Sequence, residues 1–231
     1  MTHINFRIFA STVVPAINPD IVIHTGDITD GWIEGLKSGD IVEEWEMYKS
    51  TLVEHGYFNN SFWLDIRGNH DNSNQQSGIR HSYYNYSTWG HEGPVFNKVY
   101  TRPFGRYCFI GLDATLSPSP GVMMTYFGYV SSVNRAKLLD SLRSDTQSCN
   151  HTIVFTHYPT MYLNSPALHA IYRDNAPSFV LSGHVHATLG NRANVGSVDR
   201  TELQAKINPR TIECVVRDFK RKRMFVELMN E

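Results

Sequence analysis

The 231-residue sequence predicts an α/β fold, and three observations support this prediction. Short apolar runs rich in β-branched and aromatic residues recur along the chain, and each ends in a polar turn, as buried strands do. Segments with helical spacing lie between these runs, and such alternation is typical of α/β proteins. The length and the 41% hydrophobic content suit one full core, so we expect a single domain over residues 1–231.

Five apolar runs are predicted to be buried strands, because turn residues bound each of them. The five are Ile21–Ile23, Phe62–Leu64, Tyr107–Ile110, Ile153–Phe155 and Phe179–Leu181. Near the C-terminus, two further strands, Thr211–Val216 and Met224–Leu228, are predicted to form a closing hairpin over about residues 211–229.

Two segments are predicted to be helices. Ile41–Gly56 places Val42, Trp45 and Leu52 near helical spacing and ends in glycine. Ser131–Asp145 opens with a serine that can cap the first turn. The stretch Tyr83–Arg102 is aromatic and polar without a clear period, so we expect a long surface insertion that can line a pocket.

The composition restricts the classes of partner that we expect for this chain. The net charge is −1, so no bulk basic field favours a nucleic acid, and we expect none as a partner. No run approaches the ~20 apolar residues of a membrane span, and the first residues do not match a signal peptide, so the chain as given is expected to be soluble.

The three cysteines are far apart and odd in number, which predicts no disulfide framework. Sequons at Asn59, Asn85 and Asn150 are about as frequent as chance predicts, so they leave the compartment open.

Possible metal ligands follow four of the predicted strands. Their turns carry Asp27, then Asn69-His70-Asp71, then His157, then His184 and His186 in "GHVH". In open α/β sheets, ligands bind beyond the carboxyl ends of the strands, so we expect these side chains to converge. A polar network at the edge of the sheet is the alternative interpretation.

This residue set suits two divalent metal ions held ~3.5–4 Å apart for phosphoryl transfer. Two adjacent cations repel, and Asp27 is the carboxylate best placed to bridge them. Nitrogen and oxygen ligands without a thiolate suit Mn, Fe, Zn or Co. We therefore expect two divalent ions as cofactors, with Mn, Fe or Zn favoured.

The motifs "GDITD", "GNHD", "FTHYP" and "GHVH" resemble those of the calcineurin-like metallophosphoesterase family, and most closely its transmembrane protein 62-like branch. Longer relatives in that branch carry membrane segments. The resemblance implies two packed β-sheets flanked by helices, and hydrolysis of a small-molecule or protein phosphate ester. It implies that Asp27 bridges the metals, that Asn69, His157 and His184 hold one ion, and that His186 holds the other. His70 would donate a proton or stabilise charge, with Asp71 orienting its ring.

The N-terminus departs from the family pattern, which opens with Asp-x-His after a first strand. His3 matches the histidine and would be a ligand of the second ion, but Met1 stands in the place of the aspartate. Either the chain is truncated at the N-terminus, or "INFRIFAS" is itself the first strand, with Ile4, Phe6 and Ile8 alternating. Both interpretations leave one site short of a carboxylate. The alternative function is therefore a catalytically impaired binding or scaffold module.

Overall fold

The structure, a computed structural model, describes residues 3–31, 39–72, 82–116, 125–163, 165–184 and 210–215. Within these ranges the helices are α1 His3–Ile8, α2 Val14–Ile17, α3 Val42–Glu54, α4 Ser82–Tyr86, α5 Ser132–Ser148 and α6 Pro166–Asn175. A π-helical turn, Phe9–Val13, joins α1 to α2, and 3₁₀ turns span Gly90–Glu92 and Thr160–Tyr162. The strands are β1 Val22–His24, β2 Trp63–Asp65, β3 Val95–Arg102, β4 Gly105–Leu112, β5 His151–Thr156, β6 Phe179–Ser182 and β7 Ile212–Val215.

The strands form two sheets. Strands β1 and β2 pair in parallel, with Ile23 opposite Leu64. The larger sheet has the order β3-β4-β5-β6-β7, in which β3 is antiparallel to β4 and the other pairs are parallel. The carboxyl ends of β4 to β7 therefore lie along one edge.

The sheets and helices stack in four layers. The two sheets face each other through a buried cluster that joins Leu64 and Ile66 to Phe96, Phe109 and Phe155. On the far side of the larger sheet, α5 and α6 bury the side chains of β4, β5 and β6. On the far side of the smaller sheet, α1 to α4 pack around Trp63 of β2. This confirms the predicted α/β class and the two packed sheets flanked by helices.

The N-terminal segment is helical, so the alternative interpretation of "INFRIFAS" as a first strand is wrong. Phe6, Ala10 and Val14 are buried, whereas Ile4 and Ile8 are exposed. The buried residues recur every four positions, which is the spacing of one helix face. The ring of Phe6 lies 5.1 Å from that of Tyr48. Contact with α3 therefore stabilises a helix with this face buried, rather than a strand in which Ile4, Phe6 and Ile8 lie on one side.

The stretch Tyr83–Arg102 is an integral part of the fold, so the prediction of a surface insertion is wrong. Its second half is β3, which pairs with β4 along eight residues. Its first half contains α4, where Tyr83 is 2% exposed and donates its hydroxyl to the carbonyl of Asp65. Thr88 and Trp89 do line a cavity of about 340 Å³ together with Asn59, His91 and Glu92.

A disulfide joins Cys108 of β4 to Cys149 just after α5, a bond that the prediction of no disulfide framework missed. The two Cα atoms are 5.9 Å apart. The partners are 41 residues apart in the sequence, and no spacing signal marks such a pair.

The predicted helices and most predicted strands are confirmed. Helix α3 lies within Ile41–Gly56, and the Ser131 hydroxyl caps α5 by accepting from the Asn134 N–H at 3.1 Å. Strand β7 confirms the first strand of the expected hairpin, while Met224–Leu228 falls outside the described residues. No helix in the described part of the chain is long and apolar enough to cross a membrane.

Candidate metal centre

The turns at the carboxyl ends of β1, β2, β5 and β6 meet at one place. Asp27 follows β1, Asn69 and His70 follow β2, His157 follows β5 and His184 follows β6. The smaller sheet therefore supplies a carboxylate and an amide, and the larger sheet supplies two imidazoles. The predicted convergence of these side chains is present in the structure.

Three polar atoms form a small triangle at the centre of this cluster. The Asn69 Oδ1 atom lies 2.9 Å from the His157 Nε2 atom and 2.9 Å from the His184 Nδ1 atom. The two ring nitrogens are 3.1 Å apart. The Asp27 Oδ1 atom is 3.4 Å from the same nitrogen of His157.

Backbone carbonyls fix which ring nitrogens carry protons. The Nδ1 atom of His157 lies 2.8 Å from the Thr25 carbonyl, so it donates, and Nε2 keeps its lone pair. The Nε2 atom of His184 lies 3.1 Å from the Tyr126 carbonyl, so its Nδ1 keeps a lone pair. Two imidazole lone pairs and the Asn69 oxygen therefore face one another.

Such an arrangement fits a cation. Three facing lone pairs repel unless a proton or a metal ion lies between them. Neutral imidazole whose other N–H is held by a carbonyl is the common form of a histidine metal ligand. An octahedral ion with bonds of about 2.1 Å places adjacent ligand atoms about 3.0 Å apart, close to the observed triangle. These residues fit a divalent metal ion.

The backbone at the site adopts an unusual conformation. Asp27 has a φ of 55° and His184 a φ of 68°, both in the left-handed region that non-glycine residues rarely occupy. Such strain clusters at functional sites, where the surrounding structure holds it in place.

Electrostatics keep Asp27 ionised. Burial acts to raise the pKa of Asp27, but a positive charge on His157 or His70 would lower it and the His70 N–H lowers it, so that the net shift of this pKa is downward. The His70 N–H donates to the Asp27 Oδ1 atom at 3.1 Å. A carboxylate is therefore available beside the triangle.

Asp71 organises the loops around the site. Its carboxylate accepts from the backbone N–H groups of Ile28, Thr29 and Gly68 at 2.7–3.1 Å. The Asp30 carbonyl lies 2.5 Å from the His70 Nδ1 atom. Burial, and then the nearby charge of Asp27, raise the pKa of Asp71.

A buried ion pair stabilises the turn that follows β2 and carries Asn69 and His70. The Arg67 guanidinium donates to Asp113 at 2.5 Å and to Asn72 at 3.1 Å. Asn72 in turn donates to the Leu116 carbonyl. The turn with Asn69 and His70 is thus fixed between the β1 turn and the segment after β4.

Aromatic rings form one wall of the site. The rings of Tyr126 and Tyr162 lie 5.5 Å and 5.3 Å from the ring of His184. The Tyr126 side chain is exposed, as is that of its neighbour Phe127, whose ring lies 5.9 Å from Tyr162. Two segments, residues 125–130 and 158–163, carry these rings.

Two predicted ligands of the second ion are not placed by the described residues. His186 lies outside the described residues, and His3 is the first residue of α1, with a side chain that is not described. In the described part of the chain, no group of three or more His, Cys, Asp or Glu side chains is arranged so that it could hold a metal ion by itself. The triangle gains its third atom from the amide of Asn69.

Sequence reasoning missed Thr25 and Tyr126, whose carbonyls fix the histidine tautomers. Any residue type can supply a carbonyl, so no side-chain pattern marks them. It also missed Tyr162, which belongs to the turn after His157.

Comparisons with known proteins agree with this geometry. Residues 2–188 match the family described as calcineurin-like phosphoesterase. The chain is 33% identical to mouse transmembrane protein 62 over 220 residues, which is 94% of this chain and 33% of that protein. It is 28% identical over 207 residues to an Arabidopsis thaliana protein assigned to the metallophosphoesterases, covering 81% of this chain and 27% of that protein.

Among solved structures, a dimetal phosphatase from Danio rerio superposes with a TM-score of 0.59 at 15% identity. The match covers 93% of this chain and 77% of that one, and it shows a shared fold. The chain spans about one third of the length of the curated relatives it matches. The family generally binds divalent metal ions.

The match over residues 2–188 and the similarity to transmembrane protein 62 agree with the convergence of Asp27, Asn69, His157 and His184 at the strand ends. This chain belongs to the calcineurin-like phosphoesterase family, in the branch that includes transmembrane protein 62.

Proposed function

We propose that this chain hydrolyses phosphate monoesters or diesters at a dinuclear metal centre. The observation that carries the proposal is the triangle of Asn69 Oδ1, His157 Nε2 and His184 Nδ1, whose lone pairs face one another at 2.9–3.1 Å. These three residues and Asp27 would hold one divalent ion.

A divalent ion held there would act as a Lewis acid on phosphoryl oxygens and on an attacking water. Asp27 supplies the negative charge that balances the cations and is the group that would bridge them. The turns around Asp27 and Asn69 place these ligands before substrate arrives, so little reorganisation accompanies the reaction.

His70 is the proposed proton donor to the leaving oxygen. Its Nδ1 atom is held by the Asp30 carbonyl, and its backbone N–H is bonded to Asp27. This fixes the ring at the edge of the cluster, and we assign the donation to its Nε2 atom. Asp71 is a positioning residue, because it holds the loops that carry Asp27 and His70.

His186 and His3 are the proposed ligands of the second ion, together with Asp27. Their support is the sequence pattern, "GHVH" at residues 183–186 and the histidine near the start of the matched region. We propose Mn, Fe or Zn as the metal, because the ligands are nitrogen and oxygen atoms.

The decisive experiment compares Asp27→Asn with Asp20→Asn, after loading with Mn²⁺, on p-nitrophenyl phosphate and bis(p-nitrophenyl) phosphate. Asp27→Asn removes the bridging charge, so activity should fall at least about 100-fold. Asp20 is exposed and pairs with Arg102 away from the site, so its variant should retain activity. Equal activity of the wild type and Asp27→Asn would contradict the proposed phosphoesterase function.

Metal content measured after Mn²⁺ loading and desalting separates the catalytic proposal from the binding-module alternative. Two ions per chain support the dinuclear centre. One ion that is lost in His157→Ala supports the described triangle but not the second site. A chain that binds no metal and hydrolyses neither ester would favour a binding or scaffold function for the same fold.

A further inference from the structure

The disulfide between Cys108 and Cys149 carries information about where the domain matures. Cys108 is fully buried in β4, so the bond belongs to the interior of the fold. Disulfides form and persist in oxidising compartments and are rare in the cytosol. Forming this bond removes two protons and two electrons from the thiols, which an oxidised disulfide of an exchange protein in that compartment would accept.

Three asparagines of the sequon Asn-x-Ser/Thr are exposed in the structure. Asn59 lies in the turn before β2, Asn85 lies on α4, and Asn150 lies between Cys149 and β5. An N-glycan must project into solvent, so exposure at all three positions meets the physical requirement. The sequons alone leave the compartment open. The disulfide favours an oxidising one, in which exposed sequons are available for N-glycosylation.

Two of the sequons lie at the end of the fold opposite to the metal centre. Asn59 and Asn150 precede β2 and β5, at the amino ends of these strands, whereas Asn69 and His157 follow the carboxyl ends of the same two strands. Sugars attached at these two sites would leave the mouth of the metal centre open.

The local contacts of Asn150 are compatible with modification. Its Oδ1 atom accepts from the Arg106 N–H at 2.7 Å. N-linkage uses the Nδ2 atom, so this hydrogen bond can remain after a glycan is attached.

We propose that this domain matures in the lumen of the secretory pathway, where it acquires the Cys108–Cys149 disulfide and N-linked glycans on Asn59, Asn85 and Asn150. The co-substrate is a lipid-linked oligosaccharide diphosphate. In the transfer, a bond forms from the asparagine Nδ2 atom to C1 of the first sugar. The bond between C1 and the diphosphate breaks, the diphosphate lipid leaves, and the Nδ2 atom loses one proton.

The test uses the full-length protein expressed in eukaryotic cells and digested with peptide-N-glycosidase F. We expect a mobility increase for the wild type that is smaller in the triple variant Asn59→Gln, Asn85→Gln, Asn150→Gln. Asn60→Gln is the matched control, because Asn60 lies beside Asn59 but its replacement leaves the Asn59 sequon intact.

Peptide mass spectrometry of the wild type makes the test independent of how the variants fold. Digestion in ¹⁸O water marks each glycosylated asparagine as labelled aspartate, and non-reducing peptides report the disulfide. Label at the three asparagines, together with a linked Cys108–Cys149 peptide and alkylated Cys214, is the expected result. The absence of any glycosidase-sensitive species, or free thiols at both Cys108 and Cys149, would overturn the proposal.

Discussion

Two glycines bring the β1 and β2 turns close enough to share the site. A Cβ atom on Gly26 would lie 2.6 Å from the Gly68 nitrogen and 2.8 Å from the His157 Nδ1 atom. A Cβ atom on Gly68 would collide with the side chain of Asp27. The hydrogen bond of His157 to the Thr25 carbonyl depends on this close approach, because it lies beside Gly26.

A pair of glycine substitutions separates backbone strain from crowding at the site. Gly26 and Gly56 both have positive φ, 96° and 71°, so alanine at either position should cost about 1 kcal/mol in backbone conformation. A Cβ atom on Gly56 has no neighbour within 4 Å. Gly56→Ala should therefore lose only that amount of unfolding free energy and retain Mn²⁺.

Gly26→Ala should lose more stability and also lose metal, because its Cβ atom displaces the Gly68 backbone and the ring of His157. Denaturant unfolding and elemental analysis of both variants measure these effects. Wild-type metal content in Gly26→Ala would contradict the interpretation that close approach of the two turns builds the site.

At the scale of elements, β7 supports the turn that follows His157. Glu213 of β7 is 5% exposed and accepts from the Thr160 N–H at 2.7 Å. Thr160 begins the 3₁₀ turn that ends with Tyr162, whose ring packs near His184. Strand β7, the last strand of the larger sheet among the described residues, therefore reaches the site through a buried carboxyl group.

Stability should depend on pH through Glu213. Burial raises the pKa of Glu213 from 4.5 to about 6, so the native state binds its proton more tightly than the unfolded state. The contribution of the protonated Glu213 side chain to the free energy of unfolding is therefore fully present below pH 4.5. It is lost as the pH rises through about 6.

Glu213→Gln keeps the acceptor for Thr160 and removes the ionisation. As the pH rises from 4.5 to 7, the wild type should therefore lose up to about 2 kcal/mol of unfolding free energy relative to the variant. Urea unfolding of both proteins across this range measures the difference. Parallel stability curves would contradict the role of Glu213.

For the molecule as a whole, the site exists only where the two sheets meet. Asp27 and Asn69 come from the smaller sheet, and His157 and His184 come from the larger one. The apolar cluster between the sheets, with Leu64 on one side and Phe155 on the other, sets their separation. Loss of this packing would disperse the ligands as well as unfold the protein.

The disulfide should be a large contributor to global stability. It closes a loop between positions 41 residues apart, which corresponds to about 4 kcal/mol of chain entropy removed from the unfolded state. A reducing agent should lower the unfolding free energy of the wild type by roughly this amount. The double variant Cys108→Ala, Cys149→Ala should show no response, and a wild type equally stable with and without reductant would contradict the prediction.

How much the sequence predicts differs between elements. The strands and the helices α3 and α5 are predictable because their apolar periods and turn residues are local features. The alternation of Ile4, Phe6 and Ile8 left a strand open as one interpretation of the N-terminal segment. Contact with α3 instead favours a helix that buries Phe6, Ala10 and Val14. Strand β3 was missed because its pairing with β4, which holds it in place, is absent from its own pattern.

The sequence alone determined the family, the α/β class and which candidate ligands follow β1, β2, β5 and β6, because a short apolar run and the turn that follows it are adjacent in the sequence. Only the tertiary structure decided the Cys108–Cys149 pair, the bonding of Asp71 to the loops, and the carbonyls that orient His157 and His184. These depend on contacts between distant segments, often with backbone atoms that every residue possesses. The packing of the two sheets creates such contacts, and residue type does not specify them.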